Sequence, residues 1–172
     1  IDMRGAMVFP AFTDMHTHID KGHIWARKPN PDGSFPGALT AVGEDREANW
    51  SAHDVERRME FSLQCAYAHG TKALRTHLDS VPPQEDISWP VFETIRERWK
   101  GRIELQAACL FGIDQAQDEA WFNRLADTVA RHRGVLGAVS YMVPDLDALL
   151  DRMFIKATHL GLDLDFHADE TD

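Results

Sequence analysis

The strongest constraint on the fold is an alternation that runs almost the length of the chain. Short apolar runs that finish in polar residues alternate with stretches whose apolar residues recur every three or four positions. The first run begins at Ala6-Met7-Val8-Phe9 and closes on His16-Thr17-His18. Others cover residues 72–77, 103–110, 135–140 and 162–167. Between them, Ser51-Ala52-His53-Asp54 reads as a capping box that opens a helix carrying Val55, Met59, Leu63, Ala66 and Tyr67, stopped by Gly70. A short helix is expected over about residues 90–99. Ala116, Ala120, Leu125 and Val129 form the stripe of another, closed by Gly134. Pro144-Asp145 starts the last, with Leu146, Leu149, Leu150, Met153, Phe154, Ala157 and Leu160 on its apolar face and Gly161 at its end.

Five strands alternating with helices imply a parallel sheet with right-handed crossovers. Polar groups gather at the strands' C-terminal ends, which is where a (β/α)8 TIM barrel keeps its functional side chains. A doubly wound open sheet should carry a Gly-rich phosphate turn after its first strand, and His16-Thr17-His18 stands there instead. The fold class read from the sequence is therefore α/β, a (β/α)8 TIM barrel of which about the first five βα units lie within residues 1–172.

Two histidines one residue apart share a face of a strand, because side chains alternate with a period of two. His16 and His18 thus aim two imidazoles at one point, followed by polar Asp20 and Lys21. Such a pair suits a divalent cation such as zinc or iron, and it also suits a strand whose histidines are merely hydrogen-bonded or solvated. A third ligand is available at His167. In that last strand Leu162, Leu164 and Phe166 fall on one side, fit to face helices, while Asp163, Asp165 and His167 fall on the other. His77 and Asp79 end the second strand, where they overlook the same region. With Asp20 they are candidates for substrate contact or for holding the metal-binding histidines, and ordinary hydrogen-bonded polar residues explain them equally well. His23, His53, His69, His132 and His159 lie in a loop or on helices and read as surface or core histidines.

Residues 22–50 form a segment far longer than the usual connection of about 4–6 residues. It carries Pro29, Pro31, Gly33, Pro36 and Gly37, leaves directly from the two histidines, and holds Trp25 and Trp50. It reads either as a lid over the site or as a surface excursion.

Charge and composition remove several partner classes. With 28 acidic against 18 basic residues the formal charge is -10, which repels phosphate backbones and anionic lipid. No apolar stretch approaches the roughly 20 residues of a membrane span. Nucleic acid and membrane are therefore not expected as partners. Cys65 and Cys109, the two cysteines, fall in a predicted helix and a predicted strand and read as buried thiols in a reducing, cytoplasmic setting.

Three motifs together, Phe12-Thr13-Asp14-Met15-His16-Thr17-His18-Ile19-Asp20-Lys21, Gly70-Thr71-Lys72-Ala73-Leu74-Arg75-Thr76-His77-Leu78-Asp79 and Asp165-Phe166-His167-Ala168-Asp169-Glu170, resemble the amidohydrolase superfamily, specifically its cytosine deaminase branch. The resemblance implies a hydrolase in which His16, His18 and His167 hold one iron or zinc ion. Glu170 matches the acid that passes protons to the substrate ring, although acidic residues just beyond strands are commonly solvated. The implied reaction is attack of metal-activated hydroxide on the ring carbon bearing the amine of a small nitrogen heterocycle, with release of ammonia. The strand-four run, residues 135–141, has no lysine of the kind that bridges two metals in binuclear relatives, so one metal is expected. No Cys-x-x-Cys follows a His-x-Glu, which excludes the zinc deaminases of the nucleic-acid-editing type.

Departures from the family shape the expectation. Cytosine deaminases place a glutamine after a Phe-Pro at the end of strand three. This chain has Leu110-Phe111-Gly112 there, with Gln106 and Gln115 on either side. Cytosine itself is therefore in doubt, and isocytosine-like, triazine or other small heterocycles are open. Alternatives are release of an alkylamine from a triazine ring, or a catalytically silent relative that binds a heterocycle. The family's barrel has eight strands, a strand-six histidine, a strand-eight aspartate and a small β-domain, and relatives often form homo-oligomers. Five strands and an N-terminal isoleucine lead to the expectation of a segment of a longer protein, inactive alone.

Overall fold

In a computed structural model, residues 2–169 are described. Five strands, β1 (Phe12–Thr17), β2 (Thr71–Asp79), β3 (Glu104–Leu110), β4 (Leu136–Val139) and β5 (Leu164–His167), alternate with helices α1 (Phe35–Asn49), α2 (Ala52–Ala68), α3 (Glu85–Trp99), α4 (Glu119–Arg131) and α5 (Leu146–Leu160). Strands β1-β2-β3 form one parallel sheet and β4-β5 another. Parallel bridges Ala108↔Val135 and Gly112↔Val139 join the two.

The sheet must curl. Neighbouring strands lie about 4.8 Å apart, so β2 and β5 would stand about 14 Å apart in a flat sheet. Yet Arg75 Nη1 on β2 donates to Asp165 Oδ2 on β5 at 2.7 Å. His18, just past β1, brings its Nε2 to 3.5 Å from Nε2 of His167 at the end of β5.

On the opposite side the strands bury Leu74, Leu78, Ala107, Cys109, Leu136 and Ala138 in one core with α2 (Val55, Met59, Leu63), α3 (Trp89, Phe92, Ile95, Trp99), α4 (Trp121, Phe122, Leu125, Val129) and α5 (Leu149, Met153, Ala157). Buried tryptophans need a partner for the indole N–H. Trp89 donates to Ser80 Oγ at 3.1 Å, Trp99 to Glu60 Oε2 at 3.0 Å and Trp121 to Glu85 Oε1 at 3.0 Å. Cys109 is buried and Cys65 half-buried, both as free thiols. Burial pushes the Cys109 thiol up to about 12, so it stays protonated.

Local chemistry sets the element ends. Ser51 caps α2 by accepting the Asp54 N–H, and Gly70 ends the turn after it with φ 88°. Gly161 ends α5 in the left-handed region, φ 65°. α3 starts at Glu85 rather than at Pro90, because Glu85 and Asp86 occupy its first turn, where the helix dipole favours negative charge. The stripe over residues 116–129 is split. Asp118 Oδ1 accepts the Trp121 N–H at 3.0 Å and caps α4, leaving Ile113–Gln117 as a separate 3-10 turn.

The largest departure from expectation is α1, inside the segment read as a long connection. Ser34 caps it by accepting the Gly37 N–H, and Pro36 sits in the first turn, where its missing N–H is not needed. Arg27 fixes the segment to α2, donating to both oxygens of Asp45 at 2.8 and 2.8 Å and both of Asp54 at 2.6 and 2.9 Å. This is an anchored structure rather than a loose lid. Among the described residues no helix is long and apolar enough to cross a membrane.

Candidate metal centre

The end of β1 is tied to β2 by side chains. Thr17 Oγ1 donates to the Arg75 carbonyl at 2.8 Å, and Thr76 Oγ1 accepts the Ile19 N–H at 3.1 Å. His18 is held between these two bonds. At the other end of the row, the Ser140 N–H and hydroxyl both donate to the His167 carbonyl, at 2.8 and 3.0 Å.

The result is a cluster of four imidazoles, from His16, His18, His77 and His167, in which one ligand nitrogen from each lies within 4.8 Å of the others. Ring centroids of His16 and His18 are 5.2 Å apart, those of His16 and His77 4.4 Å, and those of His16 and His167 4.6 Å. Two imidazole nitrogens bound to one tetrahedral ion at about 2.0–2.1 Å stand about 3.4 Å apart. The 3.5 Å between the Nε2 atoms of His18 and His167 fits that spacing. His18 Nδ1 is buried without a hydrogen-bond partner among the described residues.

Electrostatics favour the neutral form of His18 and His77. Burial, and then the charge of Lys21 and the neighbouring imidazoles, pushes His18 down to about 3. Burial also lowers His77, against the pull of Asp165. A neutral imidazole has the free lone pair that metal binding requires. The donor set fits a zinc or ferrous ion held by nitrogen ligands.

The structure brings together the three histidines read as ligands, and it adds a fourth. His77 Nδ1 lies 3.3 Å from the Thr17 carbonyl oxygen, and Nε2 lies 3.3 Å from Asp165 Oδ2. The parity of β2, with Arg75, His77 and Asp79 on one side, carried the signal for this placement. Asp20 and Asp79 are both buried at the ends of β1 and β2. Asp20 is fully buried, and its Oδ2 accepts the Asp79 N–H at 2.8 Å. Asp79 pairs with Lys21 at 2.7 Å and Arg46 at 2.9 Å. Burial and the Asp79 charge raise the Asp20 pKa. For Asp79, burial opposes the charge, but Lys21 and Arg46 prevail and hold it below the usual carboxylate range. Both carboxylates tie the ends of β1 and β2 together. Glu170, the expected proton carrier, lies outside the described residues.

A curled parallel α/β sheet that gathers several imidazoles at its strand ends is the layout of amidohydrolases. This chain belongs to the amidohydrolase family, whose model matches residues 1–88. It is 58% identical over 171 residues to pterin deaminase of Rhizobium rhizogenes, covering 99% of this chain and 39% of that protein. It is 23% identical over 182 residues to N-isopropylammelide isopropyl amidohydrolase of a Pseudomonas species, covering 97% of this chain and 43% of the relative. Among solved structures it is similar to 5-methylcytosine deaminase of Klebsiella pneumoniae liganded with 5-fluorocytosine, with a TM-score of 0.78 and 22% identity over 95% of this chain and 40% of that one. The chain thus spans about two fifths of the length of the proteins it matches.

Proposed function

We propose that the protein containing this chain is a metal-dependent deaminase of a small nitrogen heterocycle, releasing ammonia, and that the five βα units are part of a (β/α)8 barrel. The observation that carries the reading is the convergence of His16, His18 and His167 from opposite ends of the strand row, with His77 beside them. The 58% identity to a pterin deaminase favours a ring of the 2-amino-4-oxo-pyrimidine type, the isocytosine arrangement found in pterins, over cytosine itself. It also favours ammonia over an alkylamine as the product.

In this reading His16, His18 and His167 hold one zinc or iron ion. Bound there, the ion would supply a water of lowered pKa as the nucleophile. The chain's own residues do the rest. Thr17 and Thr76 fix the end of β1 so that both of its imidazoles face one point. Ser140 holds the His167 backbone. The Thr17 carbonyl orients the His77 ring beside the ligands. Glu170 carries a proton to the ring nitrogen and helps the amine leave.

Ammonia release from pterin, isocytosine and cytosine by the metal-loaded full-length protein tests the reading. Turnover of the 2-amino-4-oxo rings is expected. No ammonia from any of the three, or an alkylamine product from an N-alkyl triazine instead, would contradict it.

A further inference from the structure

The mouth of the sheet carries a polar pair that the reaction above does not use. Even-numbered positions of β3 face the imidazole side: Gln106 Oε1 accepts Arg75 Nε at 2.7 Å, and Arg75 in turn bonds to Asp165. Odd-numbered positions face the helices. Cys109 is buried in the core, and Phe111 packs on Trp121 with ring centroids 5.1 Å apart. Gly112 continues the strand, with φ -69° and ψ 134°, and bridges Val139 in parallel. Its side-chain position therefore points to the imidazole side.

That position is filled from elsewhere. A Cβ built on Gly112 would collide with the Tyr141 phenol oxygen and lie 2.8 Å from Asp114 Oδ1. The Tyr141 hydroxyl donates to Asp114 Oδ1, and no hydrogen bond to Asp114 Oδ2 occurs among the described residues. Tyr141 directly follows Ser140, the residue that holds the His167 carbonyl. The glycine thus makes room, at the ends of β3 and β4 and on the imidazole side, for an exposed carboxylate aimed by a phenol. Burial, and then the Asp114 contact, pushes Tyr141 up to about 12, so the phenol remains a donor.

We propose that Asp114, positioned by Tyr141, is a specificity-determining residue that accepts the ring N–H of a 2-amino-4-oxo-pyrimidine substrate. The proposal rests on the deaminase reading above and narrows its substrate. An ionised carboxylate only accepts hydrogen bonds. A 2-amino-4-oxo ring presents N3–H beside its 2-amino group, two adjacent donors for such an acceptor. Cytosine presents a lone pair at N3, which the carboxylate repels. A site built to bond a substrate N–H discriminates strongly against rings that lack it, because a carboxylate covered by the bound ring is then left unpaired.

The test compares wild type, Asp114→Asn, Asp114→Glu and Tyr141→Phe in the metal-loaded full-length enzyme, measuring metal content and kcat/KM for pterin and cytosine. Asp114→Asn should lower kcat/KM for pterin by about tenfold or more, mostly through KM. Metal content should stay at the wild-type level, and the pterin-to-cytosine preference should collapse. Asp114→Glu should recover part of it, and Tyr141→Phe should fall between. Turnover with an unchanged preference in Asp114→Asn overturns the proposal and leaves the deaminase reading standing. If wild type deaminates neither ring, that reading falls, and pterin binding by calorimetry decides on Asp114 alone: a Kd weakened about tenfold in Asp114→Asn supports the acceptor role, and an equal Kd overturns it.

Discussion

Asp165 Oδ2 on β5 lies 3.3 Å from His77 Nε2 on β2 and accepts Arg75 Nη1 at 2.7 Å, so one carboxylate spans the curled sheet and faces both a cation and an imidazole. Burial works against its charge, but Arg75 and His77 outweigh that and hold its pKa below the usual carboxylate range. A carboxylate this close to imidazoles that could hold a metal ion influences how well they bind one. Asp165→Asn should therefore lower metal affinity or turnover by about 10–100-fold. Metal titration monitored by a competing chelator checks this, and an unchanged affinity would show that Asp165 serves only the sheet.

Gly137 sets how closely β3, β4 and β5 approach. A Cβ there would lie 2.6 Å from the Cys109 carbonyl oxygen and 2.7 Å from that of Asp165. Both obstacles are backbone atoms in strands and have little freedom to yield. Gly137→Ala should destabilise the fold by about 1–3 kcal/mol. A lowered urea midpoint in the full-length protein would show it.

The Arg27 fork predicts an acid-sensitive anchor for α1. The Arg27 bond is the largest influence on Asp54 and lowers its pKa. For Asp45, burial raises the pKa, but Arg27, Trp50 and Asn49 overcome it, so both groups lie below the usual 3.8. Groups whose folded pKa is depressed contribute stability that is fully present above the unfolded value and lost as pH falls through the folded one. Stability should therefore hold at neutral pH and fall below about pH 4. Arg27→Met should flatten that dependence, as read from urea midpoints between pH 3 and 7.

Metal removal should also loosen the fold. A ligand bound only by the native state stabilises it by mass action. Dialysis of the full-length protein against a chelator should lower the Tm, and returning zinc or iron should restore it.

Most of this architecture was legible from residue patterns because the relevant signals are local. The alternation of apolar runs with helical stripes marks five strands and four of the five helices. Ser51 and Gly161 mark two helix ends through the N–H cap and the left-handed turn they supply. The parity of β5 places Asp165 and His167 together on one face and sends Phe166 towards Phe154, with ring centroids 6.1 Å apart.

What stayed hidden depends on the third dimension. α1 has no apolar stripe for periodicity to detect, and Pro36 and Gly37 at its start look like loop residues. Its place is fixed by Arg27 bonding residues 18 and 27 positions away. His77 reads from the sequence as a neighbour of the candidate ligands because nothing local shows how far the sheet curls. The curl brings its ring centroid to 4.4 Å from that of His16 and 4.6 Å from that of His167. Asp114 carried no motif at all. Only the empty side-chain position of Gly112, filled by Tyr141, shows which way that pair faces.

The central claim is that imidazoles from the first and fifth strands share one cation, and metal analysis of the purified full-length protein tests it most directly. Elemental analysis should find about one zinc or iron per chain in wild type, and His18→Ala and His167→Ala should each lose it together with turnover, while His53→Ala, on α2, keeps it. Stoichiometric metal in both ligand variants, or none in an active wild type, would contradict the account.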